Sequence, residues 1–314
     1  MSRTLGLIEA VELVNGFDRD SKQSIDVPHG FTLPSFWVAV AAFAKEQGLS
    51  SDQIILPNDD GLRGYASAMG FEAALWGKDN YAHMRKNAGR AYSPLTLLTC
   101  QEDTDTANEC IANCIRSMFS QKGLSGVSEL CSVVGDLHDN VWSHGMATGF
   151  SMAQKYCGTR IRFALADHGK GFFREMKDAG LDPADDREAI EWCIVEGNST
   201  KLPKEDDWEQ KLPADAIHNP YGSGVHVRTK DNNHQGIGLS KLVSLTQTHG
   251  GFLRLVSGTC MLQIANNGAM TYIQGIPLWK GVAISCEFSM DALSKDVQNA
   301  DDGELEDIVR RLKG

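Results

Sequence analysis

The sequence has no hydrophobic run long enough to cross a bilayer: the longest, FWVAVAAFA at 36 to 44, falls far short of the roughly 20 apolar residues a spanning helix needs. It opens on no basic and apolar leader, so secretion is not expected. It contains no C-x-x-C, and no His or Cys pair at zinc-ligand spacing accompanies Cys110 and Cys114. The eight cysteines are scattered through apolar or helical contexts such as EWCIV, which reads as buried reduced thiols and a cytoplasmic protein. Positive charge is in the minority: 30 Lys+Arg against 41 Asp+Glu leave a formal charge of -11, which opposes non-specific binding to nucleic acid but leaves room for a local basic patch. There is no internal repeat and no low-complexity tract. What is present, 314 residues with 42% hydrophobic and 23% charged, fits a globular protein of about two domains.

Two rhythms divide the chain. From 1 to 92 the pattern predicts a short strand at LGLIEAVEL, a strand at SIDV, a helix at PSFWVAVAAFAKEQG, a buried strand at QIILP and a helix at GLRGYASAMGF, which together make a small α/β unit. Near RAYSP the pattern restarts with a strand at LTLLTC, helices at about 104 to 121 and 125 to 145, and a strand at RIRFALAD. A long polar stretch follows, with a helix at DREAIEWCIVEG and the segment HNPYGSGVHVRTKDNNHQG. A helix at about 239 to 249 and strands at GFLRLVSG, CMLQIAN and GVAISCEF close a layered α+β domain. Trp37, Trp142 and Trp192 read as core, and DDGELEDIVRRLKG carries Leu305, Ile308, Val309 and Leu312 on one stripe for docking on its own domain or a partner.

Three stretches carry chemistry. In DLHDNVWSHG, Asp136, Asn140 and His144 stand four apart and share one helix face, so that face meets something polar, either solvent or a ligand. In ADHGKGF, Asp167 ends a buried strand and is followed by Gly169 and Gly171; the carboxylate can accept from an exocyclic amine while a bare backbone lets a planar ring approach. In HQGIGLSKL, Gly236, Ile237, Gly238 and Leu239 lead into a helix whose amides suit phosphates. Either glycine signature alone is equally a tight connection.

Taken in order, D-x-x-x-N-x-x-x-H-G, D-x-G-x-G-F and G-x-G-L resemble the nucleotide-binding boxes of the GHKL superfamily of ATPases and kinases, over about 95 to 290. Within it the nearest pattern is that of the anti-sigma-factor serine kinases, whose first box reads E-x-x-x-N-x-x-x-H-G. The resemblance implies a two-layer α/β sandwich of GHKL (Bergerat) type over 93 to 291, with a lid over 172 to 235 and a helical tail over 292 to 314. It implies ATP with Mg2+ as ligand: Asn140 on the metal, Asp136 in the place of a water-activating glutamate, and Asp167 on the adenine amine. Gly169 and Gly171 would shape that pocket, Gly236, Ile237, Gly238 and Leu239 would hold the phosphates, and Asp139 and His144 belong to the first box. Lys201, Lys204, Arg228 and Lys230 are lid cations that could meet the phosphates or remain solvated loop charges. Two residues depart from the pattern. Asp136 is one methylene shorter than glutamate, and because a misplacement near 1 Å can cost about 10²-fold, slow hydrolysis is expected. Val282 stands where many relatives carry a threonine, so its side chain offers no hydrogen bond beside the adenine.

Residues 1 to 92 more loosely resemble STAS domains, in which a serine at the start of the first long helix accepts phosphate. Ser35 lies near that point and reads equally as a helix-capping serine. No H-[DE]-x-x-x-P segment precedes the second half, which disfavours a histidine kinase. Three functions follow from these resemblances: an ATPase gated by its lid and regulating a protein partner through the STAS-like half or the tail; a serine kinase acting on a STAS partner or on its own first domain; and a module that binds ATP without hydrolysing it. A homodimer fits each of them, and a membrane partner fits none.

Overall fold

The computed structural model describes residues 3 to 18, 24 to 121, 123 to 143, 147 to 200 and 237 to 295. The first half runs β1 (Thr4–Leu5), α1 (Leu7–Asn15), β2 (Ile25–Asp26), β3 (Phe31–Thr32), α2 (Pro34–Gln47), β4 (Ile54–Ile55), α3 (Asp60–Ala68) and α4 (Phe71–Trp76). The second half adds β5 (Thr96–Leu98), α5 (Gln101–Ser117), α6 (Ser125–Ser143), β6 (Gly149–Tyr156), β7 (Arg160–Asp167), α7 (Gly171–Asp178) and α8 (Asp186–Cys193). It closes with α9 (Gly238–Thr248), β8 (Phe252–Ile264), β9 (Met270–Ser289) and α10 (Met290–Leu293).

One antiparallel sheet, in the order β5-β6-β7-β9-β8, organises the molecule. Successive residues of a strand face opposite sides, and both sides of this one are apolar. On β7, Ile161, Phe163 and Leu165 join the core under α5, α6 and α9, while Ala164 and Ala166 join a second core with α1 and α2. The expected α+β class is therefore present, but the sheet is covered on both faces, where a two-layer sandwich leaves one open. The boundary expected at 92 separates no cores: Leu5, Trp37 and Phe71 share theirs with Phe150, Met152, Val256, Trp279 and Ala283. The N-terminal strands form two separate parallel ladders, β1 with β3 and β2 with β4, each two residues long.

Helix α2 explains the longest apolar run. Pro34 occupies its first turn, Gly48 ends it in the left-handed conformation (φ 65°), and every residue from Pro34 to Ala44 is buried. A helix apolar all round belongs inside, and this one packs on β6, β7 and α1. Ser35 is only 2% exposed and is the second residue of the helix, behind the N-cap Leu33, so it is neither a cap nor open to a kinase.

The segment LGLIEAVEL, expected as a strand, is extended only at its first residue, Leu5, which forms β1 with the preceding Thr4. Its buried residues Leu7, Ala10, Val11 and Val14 follow the helical period, and the Gly6 amide donates to Glu9 Oε2 at 2.8 Å to start α1. GFLRLVSG and CMLQIAN, expected as two strands, form one strand, β8, with irregular register around Gly258. The region expected as a lid from 172 begins with two packed helices: Phe172, Met176, Ala189 and Ile190 are buried in the main core. From 201 to its expected end at 235 that region, like the tail stripe from Leu305, lies outside the described residues. Among the described residues no helix is long and apolar enough to cross a membrane.

Candidate functional site

Helix α6 packs on the main core through Val134, Leu137 and Val141 and brings Asn140 to a cavity of about 790 Å³, counting its opening to solvent. The opposite wall is sheet: Leu165 and Asp167 from β7, Val282 and Ile284 from β9. Gly238 and Leu239 of α9 close one end; Phe172 and Glu175 of α7, Trp192 and Cys193 of α8, and Asn198, Ser199 and Thr200 close the other. Three motifs far apart in sequence thus meet around one space that opens to solvent. Among the described residues lining it there are two carboxylates and no lysine, arginine or histidine.

Asp167 is the most constrained of these groups. It is 6% exposed, its Oδ1 accepts from the Gly169 amide at 2.9 Å, and its Oδ2 accepts from the Val282 amide at 3.3 Å. Burial pushes its pKa up to about 7; the two amides pull it down and nearby Glu175 adds to the rise. A carboxylate offers about four acceptor positions, and two amides leave capacity for a ligand donor. The backbone is built around this residue. A Cβ on Gly281 would stand 2.3 Å from the Asp167 carbonyl oxygen, and one on Gly171 (φ 72°) 2.4 Å from the Lys280 carbonyl. Gly169 acts through its N–H as an anchor for the carboxylate. Val282, whose side chain was expected to contribute nothing polar, supplies the second anchor from its main chain.

At the other end, Gly238 brings α9 against the polar stripe of α6: a Cβ there would lie 2.9 Å from Asp136 Cβ and 3.5 Å from Asn140 Nδ2. Asp136 is not a wall of the cavity. Its Oδ2 accepts from Lys241 Nζ at 2.9 Å, with the two side chains 34% and 39% exposed. Asp139 also stands outside the lining; burial first, then Asp136 and Asp105, raise its pKa to about 6. The Ile237 carbonyl receives the Lys241 amide, the first bond of α9, and the Ser240 hydroxyl, both at 2.9 Å. His144, Gly236, Lys201, Lys204, Arg228 and Lys230 lie outside the described residues.

No protein-family model, curated protein or solved structure matches the chain.

Several participants carried no sequence signal of their own. Trp192, read as core, lines the cavity, as does Cys193, whose thiol is pushed well up by burial. Thr200 Oγ1 donates to Glu175 Oε1 at 2.9 Å, tying the end of the described chain to the cavity wall. His138, inside the first motif, is fully buried; its Nδ1 lies 2.6 Å from Asn108 Oδ1, and burial lowers its pKa to about 3, so it is a neutral strut between α6 and α5. No group of three or more His, Cys, Asp or Glu able to hold a metal ion occurs among the described residues.

Proposed function

We propose that this chain is a Mg-ATP-binding regulatory protein with slow ATP hydrolysis. One observation carries the reading: Asp167, buried and anchored by two backbone amides, keeps acceptor capacity at the wall of an apolar cavity that also receives Asn140 and Gly238. Such a carboxylate matches the exocyclic amine of adenine and opposes the carbonyl that guanine carries there. Leu137, Val141, Leu165, Leu239, Val282 and Ile284 would cover the ring and exclude water.

The residues fit the two ends of the ligand unequally. The base end has its acceptor and its apolar walls. Among the described residues lining the cavity, the metal end has Asn140 alone, so Mg2+, which prefers six oxygens, would take its remaining ligands from phosphate oxygens and water. When bound, ATP would supply the transferable phosphoryl group and most of the metal's ligands; the chain's part is to bind, orient and keep the base dry. Regulation has a path in the fold. The Asp167 carbonyl accepts from Trp279 Nε1 at 3.0 Å, and the ring of the next residue, His168, packs edge-on against Trp279 and Phe43 of α2. These contacts support a reading in which a change at the base end would bear on the N-terminal layer.

A second reading, a module that binds ATP without turnover, is favoured by the bond that ties Asp136 to Lys241. Calorimetry with Mg-ATP and Mg-GTP tests the main reading. ATP is expected to bind and GTP poorly; losing one hydrogen bond to a charged group costs about 1.5 to 3 kcal/mol, so Asp167→Asn should weaken ATP tenfold or more. Absence of adenine-nucleotide binding to well-folded protein, or equal affinity for ATP and GTP, would overturn it. ADP release over hours separates the two readings.

A further inference from the structure

The ion pair between Asp136 and Lys241 contributes little to stability where it stands. Both side chains are over a third exposed or close to it, at 34% and 39%, and pairs of this kind are screened by solvent. Helices α6 and α9 are already joined through the main core by Leu137, Leu242 and Leu245. Yet the pair sits where charge matters most for a polyanion. The approach of Gly238 to Asp136 and Asn140 sets the first turn of α9 beside the polar stripe, and Lys241 lies in that turn. No described residue lining the cavity is cationic, and a phosphate chain leaving it past Asn140 and Gly238 would pass Asp136, which stands just outside beside Gly238.

We propose that Lys241 is a phosphate-responsive positioning residue, which neutralises Asp136 while the cavity is empty and transfers its ammonium to the terminal phosphate of a bound nucleotide. The proposal rests on the nucleotide reading above. A lysine has three donors on a flexible stem, so exchanging a carboxylate for a phosphate oxygen keeps a charge-assisted bond and needs only side-chain rotation. The exchange uncovers Asp136 at the moment a substrate is present. In hydrolysis the water oxygen bonds to the terminal phosphorus and the bond from that phosphorus to the bridging oxygen breaks. The bridging electron pair stays with ADP, and the proton lost by water passes to the Asp136 carboxylate and on to solvent. Lys241 thus links recognition of the third phosphate to release of the base, and ADP, which lacks that phosphate, leaves the pair closed.

The test is a pair of affinities, for Mg-ATP and Mg-ADP, measured by calorimetry on the full chain. Lys241→Met should weaken ATP about tenfold and ADP less than about threefold, since one charge-assisted bond is lost from ATP only. Lys241→Arg should keep the wild-type ratio. The same comparison in an Asp136→Asn background separates contact with phosphate from simple neutralisation of Asp136. The proposal expects Lys241→Met still to penalise ATP there; disappearance of the penalty would overturn it, as would equal weakening of ATP and ADP. Retained ADP binding certifies the fold of each variant, and Lys241→Gln makes the same comparison if the methionine variant does not fold. Wild type that binds neither nucleotide overturns the functional reading itself, whereas wild type that binds both while Lys241→Met leaves the ratio unchanged overturns this inference alone.

Discussion

Replacing Asp167 by asparagine should stabilise the empty protein at high pH and weaken its hold on ligand, and the size of the first effect follows from burial. The carboxyl has a pKa of about 7 in the fold against 3.8 for an aspartate side chain in water, because burial disfavours its charged form. Below pH 3.8 both states are protonated and the group contributes nothing. As pH rises from there the unfolded chain loses the proton first, so the fold loses about 1.4 kcal/mol per unit until pH 7 and no more beyond it. Asparagine has no such dependence. It has its own fixed cost, because its NH2 must face either the Gly169 or the Val282 amide, leaving one donor unpaired at about 1 to 3 kcal/mol. Urea unfolding of both proteins at pH 5 and pH 8 cancels every other titrating group that the two share. The stability difference should move in favour of asparagine by about 3 kcal/mol between those pH values, from two units below pH 7 at about 1.4 each. Parallel pH profiles would refute the desolvated carboxylate and, with it, the reason the site should accept an amine.

Other perturbations probe the neighbours. Burial lowers the pKa of His168 to about 4 from 6.5, so the fold loses stability as pH falls from 6.5 toward 4. His168→Phe, filling the same space against Phe43 and Trp279, should gain on wild type by about 2 kcal/mol between pH 7 and pH 5 in the same unfolding assay. Gly281→Ala should cost about 1 to 3 kcal/mol, because its Cβ meets the Asp167 carbonyl oxygen at 2.3 Å, and wild-type stability in urea would contradict that close approach. Adenine nucleotide should change intrinsic fluorescence largely through Trp192 in the cavity wall, so Trp192→Phe should remove most of the signal while the calorimetric affinity stays within about threefold; an unchanged signal would place the ligand elsewhere.

What was legible in the sequence was whatever repeats with a period or ends at a glycine. The stripe of α6, the strand β7 with Asp167 at its tip and the start of α9 were all located, since four-residue spacing, a buried run and a G-x-G each constrain the backbone directly. Strand β6 escaped because GFSMAQKY is covered on both faces: Phe150 and Met152 face one core, Ala153 the other, and no polar alternation marks it. Helix α7 was hidden by its acidic and basic residues, although Phe172 and Met176, four apart, carry its buried face. Lys241 and Glu175 carry no motif: the first finds its partner only because α9 approaches α6, and the second accepts from Thr200 Oγ1.

The shared core follows from the same limit. A sequence shows that a helix such as α2 must be buried on every side, but not against what, and the rhythm change near 92 looked like a seam between two units. The sheet removes that seam, because Ala164, Ala166 and Ala283 leave its second face shallow enough for α2 to lie close, with Phe36, Trp37 and Phe43 filling the space between. The consequence reaches the site. The peptide that carries Asp167 is held from the cavity side by its carboxylate and from the far side by Trp279 and His168, so a shift of the N-terminal layer would bear on Asp167. Linkage is reciprocal: a partner that grips the outer surface of the N-terminal layer differently with the cavity filled must alter ligand affinity by the same factor with which ligand alters its own.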